Sequence, residues 1–190
     1  MKDMTPVLVI RAGMTASPGR DAMQALIFPL LEQATPPGFE LRFCDDRVEA
    51  VPDTPSEPLI AISVETFAAR RAYALADQYR ALGKTVVLGG FHPSACPEEA
   101  QAHADAIITG DAEDTWPEVL EDYRQGSLQS RYDSRMSSPL RALTGRKPIL
   151  AAKRYLPLGI LETSRGCRWS CEFCSIQAMY KNCLRVKPID

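Results

Sequence analysis

Cys167, Cys171 and Cys174 stand at C-x3-C-x2-C spacing in the run Thr163-Ser164-Arg165-Gly166-Cys167-Arg168-Trp169-Ser170-Cys171-Glu172-Phe173-Cys174. Three thiolates in one tight loop can hold three irons of a [4Fe–4S] cube and leave the fourth iron open. An iron without a protein ligand can bind a small molecule and pass it an electron, whereas a cluster that only carries electrons has its irons capped by cysteine. Two other chemistries fit the same residues. Tetrahedral zinc needs a fourth ligand, and Cys183 would complete C-x3-C-x2-C-x8-C, with His92 and His103 far back in the chain. Cys171-Glu172-Phe173-Cys174 is also the C-x-x-C of a redox dithiol. The context favours iron–sulfur, because the apolar run Leu158-Gly159-Ile160-Leu161-Glu162 reads as a strand feeding the loop. Cys183 then reads as a spare residue, and Cys44 and Cys96 as small buried hydrophobes.

The loop resembles that of the radical S-adenosylmethionine enzymes, whose hallmark is this spacing with an aromatic residue just before the third cysteine, here Phe173. The flanking Thr163, Ser164, Arg165 and Gly166 are similar to the family as well. The resemblance implies that Cys167, Cys171 and Cys174 ligate a [4Fe–4S] cluster, that Phe173 lies near an adenine, and that the open iron chelates S-adenosylmethionine. In such enzymes the reduced cluster cleaves the sulfonium to a 5′-deoxyadenosyl radical, which implies a reductant such as flavodoxin or ferredoxin.

The elements upstream must position this loop. Val7-Leu8-Val9-Ile10 reads as a first buried strand, and Asp21 to Gln33 as a helix that Pro29 kinks or delays. Phe39, Leu41 and Phe43 alternate with polar residues into a second strand ending at Asp45-Asp46, and Leu59-Ile60-Ala61-Ile62-Ser63 is a third. Thr66 reads as an N-cap, followed by a helix with Ala72, Leu75, Ala76, Tyr79 and Leu82 on one face and Gly83 at its end. Thr85-Val86-Val87-Leu88 is the fourth strand, Pro97 to Ala104 a short helix, Ala106-Ile107-Ile108-Thr109 the fifth strand, and Thr115 to Tyr123 the last helix. Strands separated by helices imply an α/β fold, a doubly wound five-stranded parallel sheet of flavodoxin-like type over residues 1–123.

In such sheets ligands sit beyond the carboxyl ends of the strands. That rule gathers Asp45-Asp46, Ser63 to Glu65, Gly89-Gly90-Phe91-His92 and Gly110-Asp111-Ala112-Glu113 at one rim. Paired glycines let a flat ligand approach the backbone. The segments Val87-Leu88-Gly89-Gly90-Phe91-His92-Pro93 and Thr109-Gly110-Asp111-Ala112-Glu113 resemble the cobalamin-binding domain that precedes many radical S-adenosylmethionine barrels. The resemblance implies cobalamin contacts at Gly89, Gly90, His92 and Gly110. One cobalamin-binding type carries D-x-H-x-x-G, and this chain has no such motif: no histidine follows Asp45-Asp46-Arg47. A bare structural domain is the alternative. A phospho-receiver is excluded on chemistry, because the third strand ends in Ser63 rather than aspartate and Arg11, not an acid, follows the first.

Residues 124–157 have the Gly, Pro and Ser content of a connector. From Ser134 to Leu161 there are six basic residues, Arg135, Arg141, Arg146, Lys147, Lys153 and Arg154, and no acid, read as a solvated strap. Residues 158–190 are expected to be the first strand and cluster loop of an incomplete (β/α) barrel, since a whole one needs roughly 200 residues or more. The chain is therefore expected to be the N-terminal fragment of an enzyme that methylates or otherwise rebuilds an unactivated carbon of an unnamed small molecule, and to be inactive alone. The runner-up is a non-catalytic module with zinc on Cys167, Cys171, Cys174 and Cys183. A net charge of −2 gives no field to recruit nucleic acid. No signal peptide or membrane span is read, and cysteines clustered in one motif fit a reducing cytoplasm.

Overall fold

A computed structural model of the chain describes residues 4–16, 19, 22–135, 140, 143, 153–180 and 183–188. Six strands form one sheet in the order β2-β1-β3-β4-β5-β6, with every neighbouring pair parallel. They are β1 (Thr5–Arg11), β2 (Phe39–Asp45), β3 (Leu59–Ser63), β4 (Thr85–Gly89), β5 (Ala106–Thr109) and β6 (Arg131–Asp133). The chain runs from β1 outward to β2, then returns to the other side of β1 for β3, so the order reverses at the carboxyl ends of β1 and β3.

Parallel strands covered on both faces need apolar residues at every position, and β1 satisfies this with Val7 to Ile10. Its alternate residues face opposite ways. Leu8 and Ile10 join Ile60, Ile62, Val86 and Leu88 under α2 (Ala69–Ala81), which presents Ala72, Leu75, Ala76 and Tyr79. Val7 and Val9 join Leu59, Ala61 and Val87 under α1 (Ile27–Ala34) and α5 (Ala112–Gln125), which present Phe28, Leu31, Trp116, Val119 and Leu120. Between α2 and α5 the chain forms α3 (Phe91–Ala95) and α4 (Pro97–Ala102).

The five expected strands are all present, and of the two readings of the first helix the delayed start holds: α1 begins at Ile27, which puts Pro29 in the first turn, where a missing amide proton costs nothing. Two local readings change. Thr66 caps no helix with its side chain; it opens a single 3-10 turn, Thr66–Ala68, that leads into α2. Helix α5 begins three residues before Thr115, with Glu113 and Asp114 in the first turn, where the helix dipole favours acids.

Two larger corrections concern the end of the chain. The connector contributes β6, which carries the sheet one strand further than expected; the buried Tyr132 fills the space beside α5 and donates to Asp122 at 2.8 Å. Leu158–Glu162 is no strand. Leu158 and Leu161 are exposed, and the strand lies later, as β7 (Ser164–Gly166), paired antiparallel with β8 (Leu184–Val186) across the helix α6 (Ser175–Tyr180). An apolar run makes a strand only where a neighbour accepts its backbone hydrogen bonds, and the downstream neighbour aligns with 164–166. Of the basic run, Arg141, Arg146 and Lys147 fall outside the described residues. Lys153 is packed rather than solvated: its ammonium donates to the Phe43 carbonyl at 2.9 Å and pairs with Glu49.

Candidate functional site: a cavity at the sheet rim beside the cysteine loop

The reversal of strand order opens a cleft, and a cavity of about 530 Å³ lies there. Ser63 and Glu65 border it after β3, Gly90 and Phe91 after β4, and Gly110 to Glu113 after β5. Its other wall is Glu162, Ser164, Arg165 and Gly166, the residues that lead directly into the cysteine loop, with Ile176, Met179 and Tyr180 of α6. The volume falls in the range of small-molecule and cofactor sites, roughly 300–1,000 Å³. A smaller cleft of about 30 Å³ adjoins it deeper in the sheet, lined by Val9, Leu31, Ala61, Gly89, Gly90 and Trp116 among others.

Gly90 is required by its backbone. It has φ +103, and a β-carbon there would stand 3.0 Å from both the amide nitrogen and the carbonyl oxygen of Val64. This close approach lets β4 turn directly into α3 and leaves the rim without a side chain at that point. Gly110, at φ +78, makes the corresponding turn after β5, and its amide donates to Ser94 Oγ at 2.8 Å. Arg11 closes the end of β1. Its Nη2 pairs with Glu65 at 3.5 Å, while its Nη1 is buried with no hydrogen-bond partner. Burial foremost, and then the nearby Arg47, push the Arg11 pKa below its ordinary value.

An ion cluster joins the two walls. Arg165 reaches Asp111 and Glu113 across the cavity and Glu162 on its own side, each at 2.9 Å. Arg185 also pairs with Asp111, and Lys187 with Glu162 at 2.8 Å. Burial alone would lower the Arg165 pKa, but the hydrogen bonds to Glu162 and Glu113 overcome it and raise the pKa above the ordinary value. Burial alone would raise Glu162, yet Arg165 and Lys187 hold its carboxyl below the usual range.

The cysteine loop runs from β7 to α6. Gly166 has φ +88, and a β-carbon on it would collide with the Cys183 carbonyl, so only glycine fits directly before Cys167. Cys171 is exposed, while Cys167 and Cys174 are half-buried. Among the described residues, the three loop thiols are not gathered within 4.8 Å of one another. Three thiolates on one zinc ion would stand about 3.8 Å apart. Phe173 is 92% exposed.

The expected rim residues therefore divide. Gly90 and Gly110 line the large cavity, and Gly89 lines the small cleft beneath it. His92 lines neither. It is buried in α3, turned toward Glu99. Asp45 and Asp46 are buried in structural pairs instead: Asp45 with Arg47 and the Tyr155 hydroxyl, Asp46 with Arg71 and the Gly13 amide. The sequence does not mark Arg11 and Arg165 as site residues: Arg165 reads only as a flank of the motif, and nothing in the spacing announces its acidic partners some fifty residues upstream.

No family model matches the chain. It is 34% identical over 156 residues to the bacteriochlorophyllide d C-8(2)-methyltransferase of Chlorobaculum tepidum, an alignment covering 76% of this chain and 34% of that protein. It is 31% identical over 159 residues to the bacteriochlorophyllide d C-12(1)-methyltransferase of the same organism, covering 80% of this chain and 35% of the relative. The chain thus spans about a third of the length of the curated relatives it matches. Among solved structures, the N-terminal domain of a hypothetical protein of Thermotoga maritima is 20% identical with a TM-score of 0.36, over 62% of this chain and 93% of that one. At that score the likeness decides neither fold nor chemistry. No described helix is long and apolar enough to cross a membrane.

Proposed function

We propose that this chain is the cofactor-binding N-terminal portion of a radical S-adenosylmethionine methyltransferase, with an iron–sulfur cluster on Cys167, Cys171 and Cys174 and cobalamin in the rim cavity. The observation that carries the reading is the shared cavity. One wall is the carboxyl edge of the sheet, the other is the peptide leading into the cysteine loop, and Arg165 ties the two together. A carbon-bound radical and a methyl donor must meet at one place, and the peptide that leads into the cysteine loop borders the same opening as the glycine rim, which supports the reading.

The donor sets fit the two groups. Three thiols in one accessible loop, spread wider than a single zinc ion would hold them, suit a cluster whose ligands sit on separate irons. The bare backbone at Gly90 and Gly110 suits a flat macrocycle, and the unpartnered Nη1 of Arg11 offers a buried donor to an amide or phosphate oxygen. When bound, the cluster supplies the electron that cleaves S-adenosylmethionine and cobalamin supplies the methyl group. The chain's own part is to hold both: Gly90 and Gly110 set the floor, Arg11 orients a polar edge, and Arg165 fixes the loop against the rim. The names of the two relatives support a tetrapyrrole side-chain carbon as methyl acceptor.

Anaerobic reconstitution with iron and sulfide tests the reading. About four irons per chain are expected, lost on Cys171→Ala, together with cobalamin that co-elutes with the protein on gel filtration. A colourless, iron-free product sinks the cluster; cobalamin that elutes separately sinks the second half. The zinc alternative has one observation in its favour, the pairing of Gly166 with Leu184, which draws Cys183 to the base of the loop. It requires one stoichiometric zinc that disappears with Cys183→Ser.

A further inference from the structure

A second group of metal-type donors lies on α3 and α4, among residues that do not line the cavity. His92, Cys96 and Glu99 each offer one ligand atom, and these atoms all lie within 4.8 Å of one another. Among the described residues no other three His, Cys, Asp or Glu side chains meet that condition. The spacing, four residues and then three, stacks them on one side of the joint between α3 and α4, where Cys96 links the two short helices. His92 is 8% exposed and its Nδ1 is buried with no hydrogen-bond partner, while its Nε2 stands 3.3 Å from Glu99 Oε1. The Tyr73 ring lies 5.9 Å from the imidazole, and its hydroxyl, whose pKa burial foremost and then Glu99 push up, neighbours the Glu99 carboxylate. An unsatisfied buried ring nitrogen such as His92 Nδ1 is costly, about 1–3 kcal/mol, unless something binds there.

We propose that His92, Cys96 and Glu99 form a three-ligand site for a zinc-class divalent transition metal, separate from the cysteine loop. One imidazole, one thiolate and one carboxylate make a borderline-soft set, suited to Zn²⁺ or Co²⁺ and poorly suited to Ca²⁺ or Mg²⁺. Donors around a tetrahedral ion stand about 3.3–3.8 Å apart, so closing the group needs movements of the order of 1 Å. Glu99 is 58% exposed, which gives the ion a path in and leaves a fourth position for water. Bound there, the metal joins α3 to α4 directly behind Gly90 and stiffens the rim of the cavity.

Cobalt titration tests the site in a chain whose Cys167, Cys171, Cys174 and Cys183 are changed to serine, which removes metal uptake by the loop. The expected result is one equivalent of Co²⁺ with a thiolate-to-cobalt charge-transfer band and tetrahedral d–d bands, displaced by zinc. Cys96→Ser should abolish the charge-transfer band. Glu99→Gln, at a largely exposed carboxylate, should keep the band and weaken binding about tenfold or more. Absence of a thiolate band in the parent, its survival in Cys96→Ser, or unchanged affinity in Glu99→Gln would each overturn the proposal. None of these outcomes depends on the iron–sulfur or cobalamin assignments.

Discussion

The Arg165 guanidinium lies 2.9 Å from the Asp111 carboxylate, although 54 residues separate them, and both side chains are almost fully withdrawn from solvent. Asp111 stands at the start of α5, on the sheet rim, and Arg165 stands two residues before Cys167. The position of the cysteine loop is thus set by a charge pair anchored in the domain before it.

Arg165→Ala should detach the β7–β8 hairpin while leaving the sheet folded. Removing one partner of a buried pair costs about 3–5 kcal/mol, and the lower end applies because Arg185 still contacts Asp111. Hydrogen exchange checks this. Protection should fall at 164–166 and 184–186 and stay unchanged at β1, β3 and β4; an unaltered hairpin would show that the clamp is idle.

Glycine tolerance should differ sharply between sites. Gly90→Ala meets both positive φ and a 3.0 Å approach to Val64, and Gly166→Ala meets the Cys183 carbonyl. Gly126, at φ +70, has open space around it, so Gly126→Ala bears only the conformational penalty of about 1 kcal/mol. Thermal unfolding should rank Gly90→Ala well below Gly126→Ala, and Gly166→Ala should lose hairpin protection before it loses global stability.

The clamp should weaken in acid. Glu162 is held below its ordinary value of 4.5 in the folded chain, so its contribution is complete above that value and disappears as pH falls through the lowered one. Hairpin protection measured from about pH 6 down to about pH 3 should fall at the acid end. Glu162→Gln, which removes the titrating group, should flatten that part of the profile.

Thiol reactivity should follow burial. Burial foremost, then the Glu49 charge, pushes the Cys44 thiol up to about 12, while Cys171 and Cys183 are exposed. Alkylation of the metal-free chain followed by mass spectrometry should label Cys171 and Cys183 first and Cys44 only after unfolding. Early labelling of Cys44 would contradict the packing at the end of β2.

Arg11→Met should reduce cobalamin retention about tenfold, the loss expected when one good hydrogen bond from a charged donor goes. The change should leave iron uptake untouched, which separates a role in the cavity from a general structural one.

The sheet was legible because its signals are local. Val7 to Ile10, Leu59 to Ile62 and Val86 to Leu88 are short apolar runs bounded by turn residues, and each is a strand. The rim glycines were legible for the same reason. What stayed hidden depends on partners distant in sequence. Tyr132 gives β6 its place only once α5 is present, and β7 is set by β8 some twenty residues later, so Leu158–Glu162 carried the pattern of a strand without a neighbour to pair with. His92 and Cys96 looked unrelated, one a turn histidine and the other a small hydrophobe, because the helix break between α3 and α4 that joins them is not written in either residue.

The chain leaves the sheet at Asp133 on one margin and is fastened again, through Lys153 and Tyr155, to β2 on the opposite margin. Six strands span roughly 24 Å, whereas the backbone from Ser134 to Ala152 could stretch to roughly 60 Å. That number of residues is more than enough to reach from one margin to the other, and the described contacts that align the sulfur-bearing loop are those of Arg165 with Asp111 and of Tyr155 with Asp45. Splicing several extra residues into that crossing should leave the loop's alignment unchanged, much as a longer rope leaves a moored boat in place when its fenders already touch the quay.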